Sequence, residues 1–198
     1  MSLRTLKTKK KKTEIIQSAT SIIEEKGFHN TTMEEIAANL LMTKGSLYYY
    51  FKNKQDLLFQ SQVLLLEQSI GNIASIIENN TNPKNALKKA ITTHIEYLIE
   101  EQATFAMGVN PEQFFEGDQL DTILELRHNY AQHVDQLLLN MMEEKAIETK
   151  DVKLVRNLLL GAMNWMIEWY SPQGSLGSDE LAEKMTMYLM KIVETESK

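Results

Sequence analysis

The neighbouring residues best equipped for chemistry in this sequence are Thr43, Lys44, Gly45 and Ser46, and the chemistry they suit is hydrogen bonding to nucleic acid. Thr43 is a helix-capping type, and a helix starting there turns its first amides outward, where they can receive a phosphate. Lys44 can donate to guanine acceptors in a major groove. Gly45 has no side chain, so the backbone can approach a base edge closely. Ser46 completes the first turn. Tyr48 and Tyr49 lie one turn further on and carry phenolic donors for phosphates, and Lys54 adds a point charge. Three consecutive tyrosines are also what a partly buried aromatic cluster looks like, and a lone lysine is usually a solvated charge. Here spacing, capping signals and local charge agree, and nucleic acid is the reading they favour.

Catalysis is the competing chemistry. The four histidines are His29, His94, His128 and His133. His128 and His133 are five apart, which turns them away from each other on a helix, whereas metal-binding pairs use spacings of three or four. Glu125 and His128 form a Glu-x-x-His pair, but a di-iron bundle needs two such pairs and two further Glu, and no second copy exists. There is no phosphate loop and no Gly-x-Ser-x-Gly elbow. Adjacent acids such as Glu100-Glu101 and Glu143-Glu144 point about 100° apart on a helix and read as solvated. The absence of Cys excludes disulfides, thiolate metal sites and cysteine nucleophiles. No catalytic constellation, metal site or cofactor emerges, and the chain is not expected to be an enzyme. A helical ligand-binding or storage protein that ignores DNA, or a helical-bundle enzyme, stands as the alternative.

These residues need helices to hold them. With 8 Gly and 3 Pro in 198 residues, and many Leu, Ile, Met, Glu and Lys, the chain reads as all-α. A basic tail over residues 1–9, expected to be flexible, leads into a cluster of Lys7, Lys9, Lys10, Lys11 and Lys12. A first helix then runs from about Lys10 to Lys26, with Ile15, Ile16, Ala19, Ile22 and Ile23 at helical spacing and Gly27 as its left-handed end. Thr32 and Glu35 fit a capping box opening a short helix to Asn39. Leu40 to Met42 make a tight turn, and Thr43 caps a third helix to about Phe51. Asn53 caps a long fourth helix over about 54–78. The spacing predicts further helices over about 84–101, 118–145, 151–170 and 178–193, with 103–117 irregular or in short helices. Nine helices in two domains are expected: a helix-turn-helix DNA-binding domain over 1–52 and a ligand-binding and dimerisation domain over 53–198.

Charge follows the same division. Residues 1–60 hold 10 Lys/Arg against 6 Asp/Glu, a net of +4, while 61–198 hold 11 against 21, a net of −10. A basic end on an acidic body suggests that the first part alone meets phosphate. The longest apolar runs are too short to span a bilayer, no apolar stretch follows the basic N-terminus as in a signal peptide, and a cytoplasmic location without membrane partners is the default expectation.

The run Thr31-Thr32-Met33-Glu34-Glu35-Ile36-Ala37, followed by Thr43-Lys44-Gly45-Ser46-Leu47-Tyr48-Tyr49-Tyr50-Phe51-Lys52-Asn53-Lys54-Gln55-Asp56-Leu57-Leu58, strongly resembles the TetR family of repressors. The resemblance covers roughly residues 10–60. It implies DNA contacts at Thr32, Lys44, Tyr48, Tyr49 and Lys54, with Leu47 and Phe51 in the core. The chain departs from the family at Leu41, where Gly is usual. A non-Gly residue in left-handed geometry costs about 1 kcal/mol, so either the turn is strained or its conformation differs.

The segment Leu158–Trp169 leaves little polar face, and a helix that is apolar all round must be covered all round. A partner subunit is the natural cover. Leu158, Ala162, Trp169, Met185 and Leu189 are the expected seam, and such a homodimer reads a palindromic operator; burial within one subunit is the competing reading. The resemblance implies an effector pocket, with Phe105, Met107, Phe114, Phe115, His128, Met163, Trp165 and Met166 as its expected lining, although a stripe of Met and aromatics is also plain core. The stretch from Gly161 to Gly174 is similar to TetR-type regulators of fatty-acid or sterol degradation, which implies a small apolar effector, an acyl-CoA or similar. Together these give a dimeric repressor that leaves double-stranded operator DNA when the effector binds.

Overall fold

The computed structural model describes residues 3–144 and 151–193, with side chains from residue 6 onward except that of Lys9. Lys145, where one predicted helix ends, lies outside the described residues. Among these residues there are nine α-helices and no strand. The chain forms two compact units, Met1–Leu65 with Ala103–Ile123, and Leu66–Gln102 with Leu124–Lys198. The first unit therefore gathers more than the segment 1–52 and takes in a piece from the middle of the sequence.

In the first unit, α1 (Leu3–Lys26), α2 (Met33–Asn39) and α3 (Lys44–Tyr50) precede the start of α4 (Lys54–Asn79). Helix α1 begins at Leu3, so residues 3–9 are helical where a flexible tail was expected. It ends at Gly27, whose φ of +84° suits a residue without Cβ; its amide donates to Ile23 O at 2.8 Å. Ile15, Ile16, Ala19 and Ile23 of α1 are buried, as are Ile36 and Ala37 of α2, Leu47 and Phe51 at α3, and Leu57 and Leu58 of α4. Each such Ile, Leu or Phe side chain contributes about 1.5–3 kcal/mol by leaving water, which fixes the faces that α2 and α3 turn outward. The segment expected to be irregular or in short helices carries the short α6 (Gln102–Gly108) and a 3₁₀ turn, Pro111–Gln113. Gln62 anchors it by donating to Thr104 O at 2.7 Å. A Cβ on Gly108 would come within 2.5 Å of the same Gln62 side chain, so a larger residue there would displace that anchor.

The second unit contains the rest of α4, α5 (Pro83–Glu100), most of α7 (Gly117–Glu143), α8 (Val152–Asn164) and α9 (Ser178–Val193). Asn82 caps α5 through the amide of Asn85 at 2.9 Å, with Pro83 in the first turn, where its missing N–H costs nothing. The α5 stripe Leu87, Ile91, Ile95 and Leu98 is buried, and α5 packs on both α8 and α9. Helix α8 stops at Asn164 and tightens into a 3₁₀ segment, Trp165–Glu168, where one continuous helix was expected.

Candidate DNA-binding surface and effector region

The outward face of α3 is built by its caps. Thr32 N donates to Glu35 Oε2 at 2.9 Å, and Glu35 N to Thr32 Oγ1 at 3.2 Å, closing the capping box of α2. The chain then turns through Leu41, whose φ is +52°; Met42 N reaches back to Ala37 O at 2.8 Å. Thr43 Oγ1 accepts from Ser46 N at 3.1 Å and starts α3. With Leu47 fully buried, Thr43, Lys44, Gly45, Ser46, Tyr48 and Tyr49 are all exposed, and a Cβ at Gly45 would meet nothing within 4 Å. Thr32 is exposed as well. Lys44 forms an ion pair with Glu34 of α2, and its Nζ lies 5.6 Å from the centre of the Tyr48 ring. The Lys44 hydrogen bond holds the Glu34 carboxyl below its ordinary range, and Glu34 raises the Lys44 ammonium in turn.

Lys54 is directed elsewhere. Its ammonium donates to the carbonyls of Phe28 and Thr31 and sits 4.4 Å from the Phe28 ring centre, and the resulting desolvation lowers its pKa. In this structure Lys54 ties the α1–α2 connection to α4 rather than standing free beside α3. No sequence signal singles out Phe28 or Phe59 of the same unit. Gln55 donates to Phe114 O, Phe28 and Phe114 meet edge to face at 5.4 Å, and Phe59 meets Phe115 at 6.0 Å. Of the eight residues expected to line a pocket, Phe105, Met107, Phe114 and Phe115 thus belong to the first unit, where Met107 and Phe115 are buried.

His128, Met163, Trp165 and Met166 belong to the second unit. Met163 and Met166 are buried, whereas His128 is exposed and Trp165 is 65% exposed. One recess of this unit is lined by Ser69, Asn72, Ile73, Thr93, His94, Tyr97 and Tyr130, among others, and has room for about one water molecule. His94 is buried and hydrogen-bonded at both ring nitrogens. Nε2 lies 3.1 Å from Asn164 Oδ1 and Nδ1 lies 2.7 Å from Tyr130 Oη. With a carbonyl oxygen facing Nε2, that nitrogen donates and Nδ1 accepts from the tyrosine. Burial pushes the imidazole down to about 4, so it is neutral at pH 7, and burial raises Tyr130. The sequence did carry a signal here: His94 interrupts the apolar α5 stripe of Ile91, Ile95 and Leu98.

On the outside of the second unit, Leu154, Leu158 and Trp165 recur at spacings of four and seven, and Trp169, Met187, Tyr188 and Ile192 are exposed too. Of the expected seam, Leu158 and Trp169 are exposed, Ala162 and Met185 are half-buried, and Leu189 is buried within the chain at 3% exposure. Among the described residues no cluster of three or more His, Asp or Glu is placed to hold a metal, and no helix is long and apolar enough to cross a membrane.

Two family models match this chain: "Bacterial regulatory proteins, tetR family" over residues 15–60 and "Tetracyclin repressor-like, C-terminal domain" over residues 80–193. The uncharacterized HTH-type transcriptional regulator YuxN of Bacillus subtilis is 26% identical over 140 residues, which span 70% of this chain and 48% of that protein. The fatty acid metabolism regulator protein of Bacillus subtilis is 27% identical over 153 residues, 76% of this chain and 78% of that one. Among solved structures, AibR in complex with isovaleryl coenzyme A and operator DNA has the same fold, with a TM-score of 0.78, 22% identity, and 90% and 97% of the two chains covered. The second match alone spans more than half of the sequence and the first covers the capped α2–α3 pair, so this chain belongs to the TetR family of helix-turn-helix transcriptional regulators.

Proposed function

We propose that this regulator is a cytoplasmic, homodimeric repressor that grips a palindromic operator through α3 and releases it when a small apolar effector, an acyl-CoA thioester or similar, enters the second unit. The observation that carries the reading is the exposed run Thr43–Ser46 with Tyr48 and Tyr49, on a helix whose inner side is fixed by fully buried Leu47. The first-turn amides of α3 are the phosphate contacts, joined by Thr32 once its hydroxyl turns from Glu35 to the DNA; Lys44 reads a base edge over Gly45 and Ser46, and the two tyrosines donate to the backbone. Lys54, already engaged by two carbonyls, contributes by tying the α1–α2 connection to α4.

The acyl effector is supported by the Gly161–Gly174 resemblance and by a relative that regulates fatty acid metabolism. The recess at His94 must widen to admit an acyl group, and Met163 and Met166, buried in the same unit, are unbranched and repack readily. Release then follows from population shift, the effector binding the non-DNA-binding state more tightly.

Selection from random duplexes, followed by titration of the enriched duplex, tests this reading. A palindrome should be enriched, Lys44→Ala should weaken binding to it by roughly tenfold or more without loss of fold, and short- or long-chain acyl-CoA should release the wild-type complex. If no sequence is enriched, a ligand carrier that ignores DNA replaces this reading. If a palindrome is enriched but no acyl-CoA releases it, only the effector chemistry falls.

A further inference from the structure

Between Met33 and Tyr50 the acidic residues are Glu34 and Glu35. Glu35 is occupied by its own helix: it accepts from Thr32 N and Oγ1 and lies 3.4 Å from Lys26 Nζ. Glu34 takes no part in the capping box. Its carboxylate crosses to the first residue of α3 and pairs with Lys44, so that the lysine lies between an anionic oxygen and the face of Tyr48.

Stability does not account for this pair. Both side chains are more than half exposed, and such ion pairs contribute little to folding. On a surface that meets DNA, moreover, an uncompensated carboxylate is repelled by phosphates. The repulsion is offset only where the DNA presents a donor. In the major groove a G·C pair sets the guanine O6 and N7 acceptors next to the amino donor on cytosine N4. A lysine donor held beside a glutamate acceptor is the complement of that edge.

We propose that Lys44 and Glu34 act as one unit that reads a G·C base pair in each half-site, Lys44 donating to guanine and Glu34 accepting from the cytosine amino group. The inference rests on the DNA-binding reading above. It makes Glu34 a specificity determinant with two effects. Away from the operator it holds the Lys44 charge and opposes phosphate contact, which keeps binding to arbitrary DNA weak. On the operator the amino group satisfies the carboxylate, and Lys44 is free to reach guanine.

The test is Glu34→Gln, measured by fluorescence anisotropy against the selected palindrome, against versions with each G·C pair changed in turn to A·T, and against a random-sequence duplex of about 30 base pairs. Wild-type protein should lose roughly tenfold or more in affinity at one symmetric G·C position, the scale of one good base contact. In the variant that penalty should fall below about threefold, while affinity for the random duplex rises severalfold. The melting temperature should be unchanged, because the position is exposed and outside the capping box. Equal penalties in both proteins at every G·C position would overturn the proposal, as would weaker binding of the variant to random DNA. A wild-type protein that does not prefer the palindrome at all would instead bring down the DNA-binding reading and this inference with it.

Discussion

At the scale of single residues, His94 gives the most quantitative consequence. Its imidazole is neutral because burial, opposed in part by the Asn164 hydrogen bond, holds its pKa at about 4. The unfolded chain keeps the ordinary value near 6.5. As pH falls through 6.5 the unfolded state takes up a proton that the folded state refuses, so stability is complete above that pH and declines toward pH 4. The full loss is about 3 kcal/mol. His94→Gln removes this linkage, at some cost at pH 7, where Tyr130 and Asn164 lose their shared partner. Urea unfolding followed by the fluorescence of Trp165 and Trp169, both in the second unit, should show the wild type losing more stability than the variant between pH 6.5 and 4. Carboxylates titrate in both proteins, so the difference isolates the histidine. Parallel profiles would mean that His94 is solvated and protonates normally.

At the scale of elements, the α2–α3 connection shows what a sequence reveals and what it hides. The capping box at Thr32 and Glu35 and the cap at Thr43 are contacts between residues three apart, and a reader of the sequence sees them directly. Leu41 stands where the family usually has Gly, and it does adopt φ of +52° while 96% exposed. Its side chain therefore gains almost nothing from packing to offset the left-handed backbone. Leu41→Gly should raise stability by about 1 kcal/mol, read as a higher urea midpoint with an unchanged slope. A fall in midpoint would show that the loss of unfolded-chain rigidity outweighs the relief of strain. Other features were illegible because they depend on residues far apart in the chain. Helix α6 is secured by Gln62 from 42 positions away, Phe114 by Gln55 from 59 away, and Asn164, where α8 ends, by His94 from 70 away. No periodicity or capping rule reports such pairs. The basic character of Lys54 was equally plain in the sequence, but its direction was not, since nothing local says that its ammonium turns to Phe28 and Thr31.

At the scale of the whole molecule, the outstanding feature is apolar surface. Leu154 and Leu158 on α8 and Trp165 just after it, with Trp169, Met187, Tyr188 and Ile192, are each at least 46% exposed on the isolated chain, and a soluble monomer seldom leaves such a patch uncovered. In the dimer proposed above, a two-fold partner would cover it with the same patch of a second copy, since an isologous interface is self-complementary. Burial decides which substitutions test this. Leu189 was an expected seam residue, yet its 3% exposure means that Leu189→Arg would unfold the helix packing before it reported on assembly. Leu158→Arg and Trp165→Arg place the charge on the outer face instead. Each should leave helix content intact and shift sedimentation from a dimer to a species of 22.8 kDa. The same variants should keep weak, salt-sensitive binding to arbitrary duplexes, because each first unit still carries the exposed α3 residues, and should lose most of the preference for a palindrome, because two half-sites are then gripped independently. Dimers that persist in both variants would place the seam on another face. Monomers that still prefer the palindrome as strongly as the wild type would separate operator reading from assembly and leave the apolar face to serve a different partner.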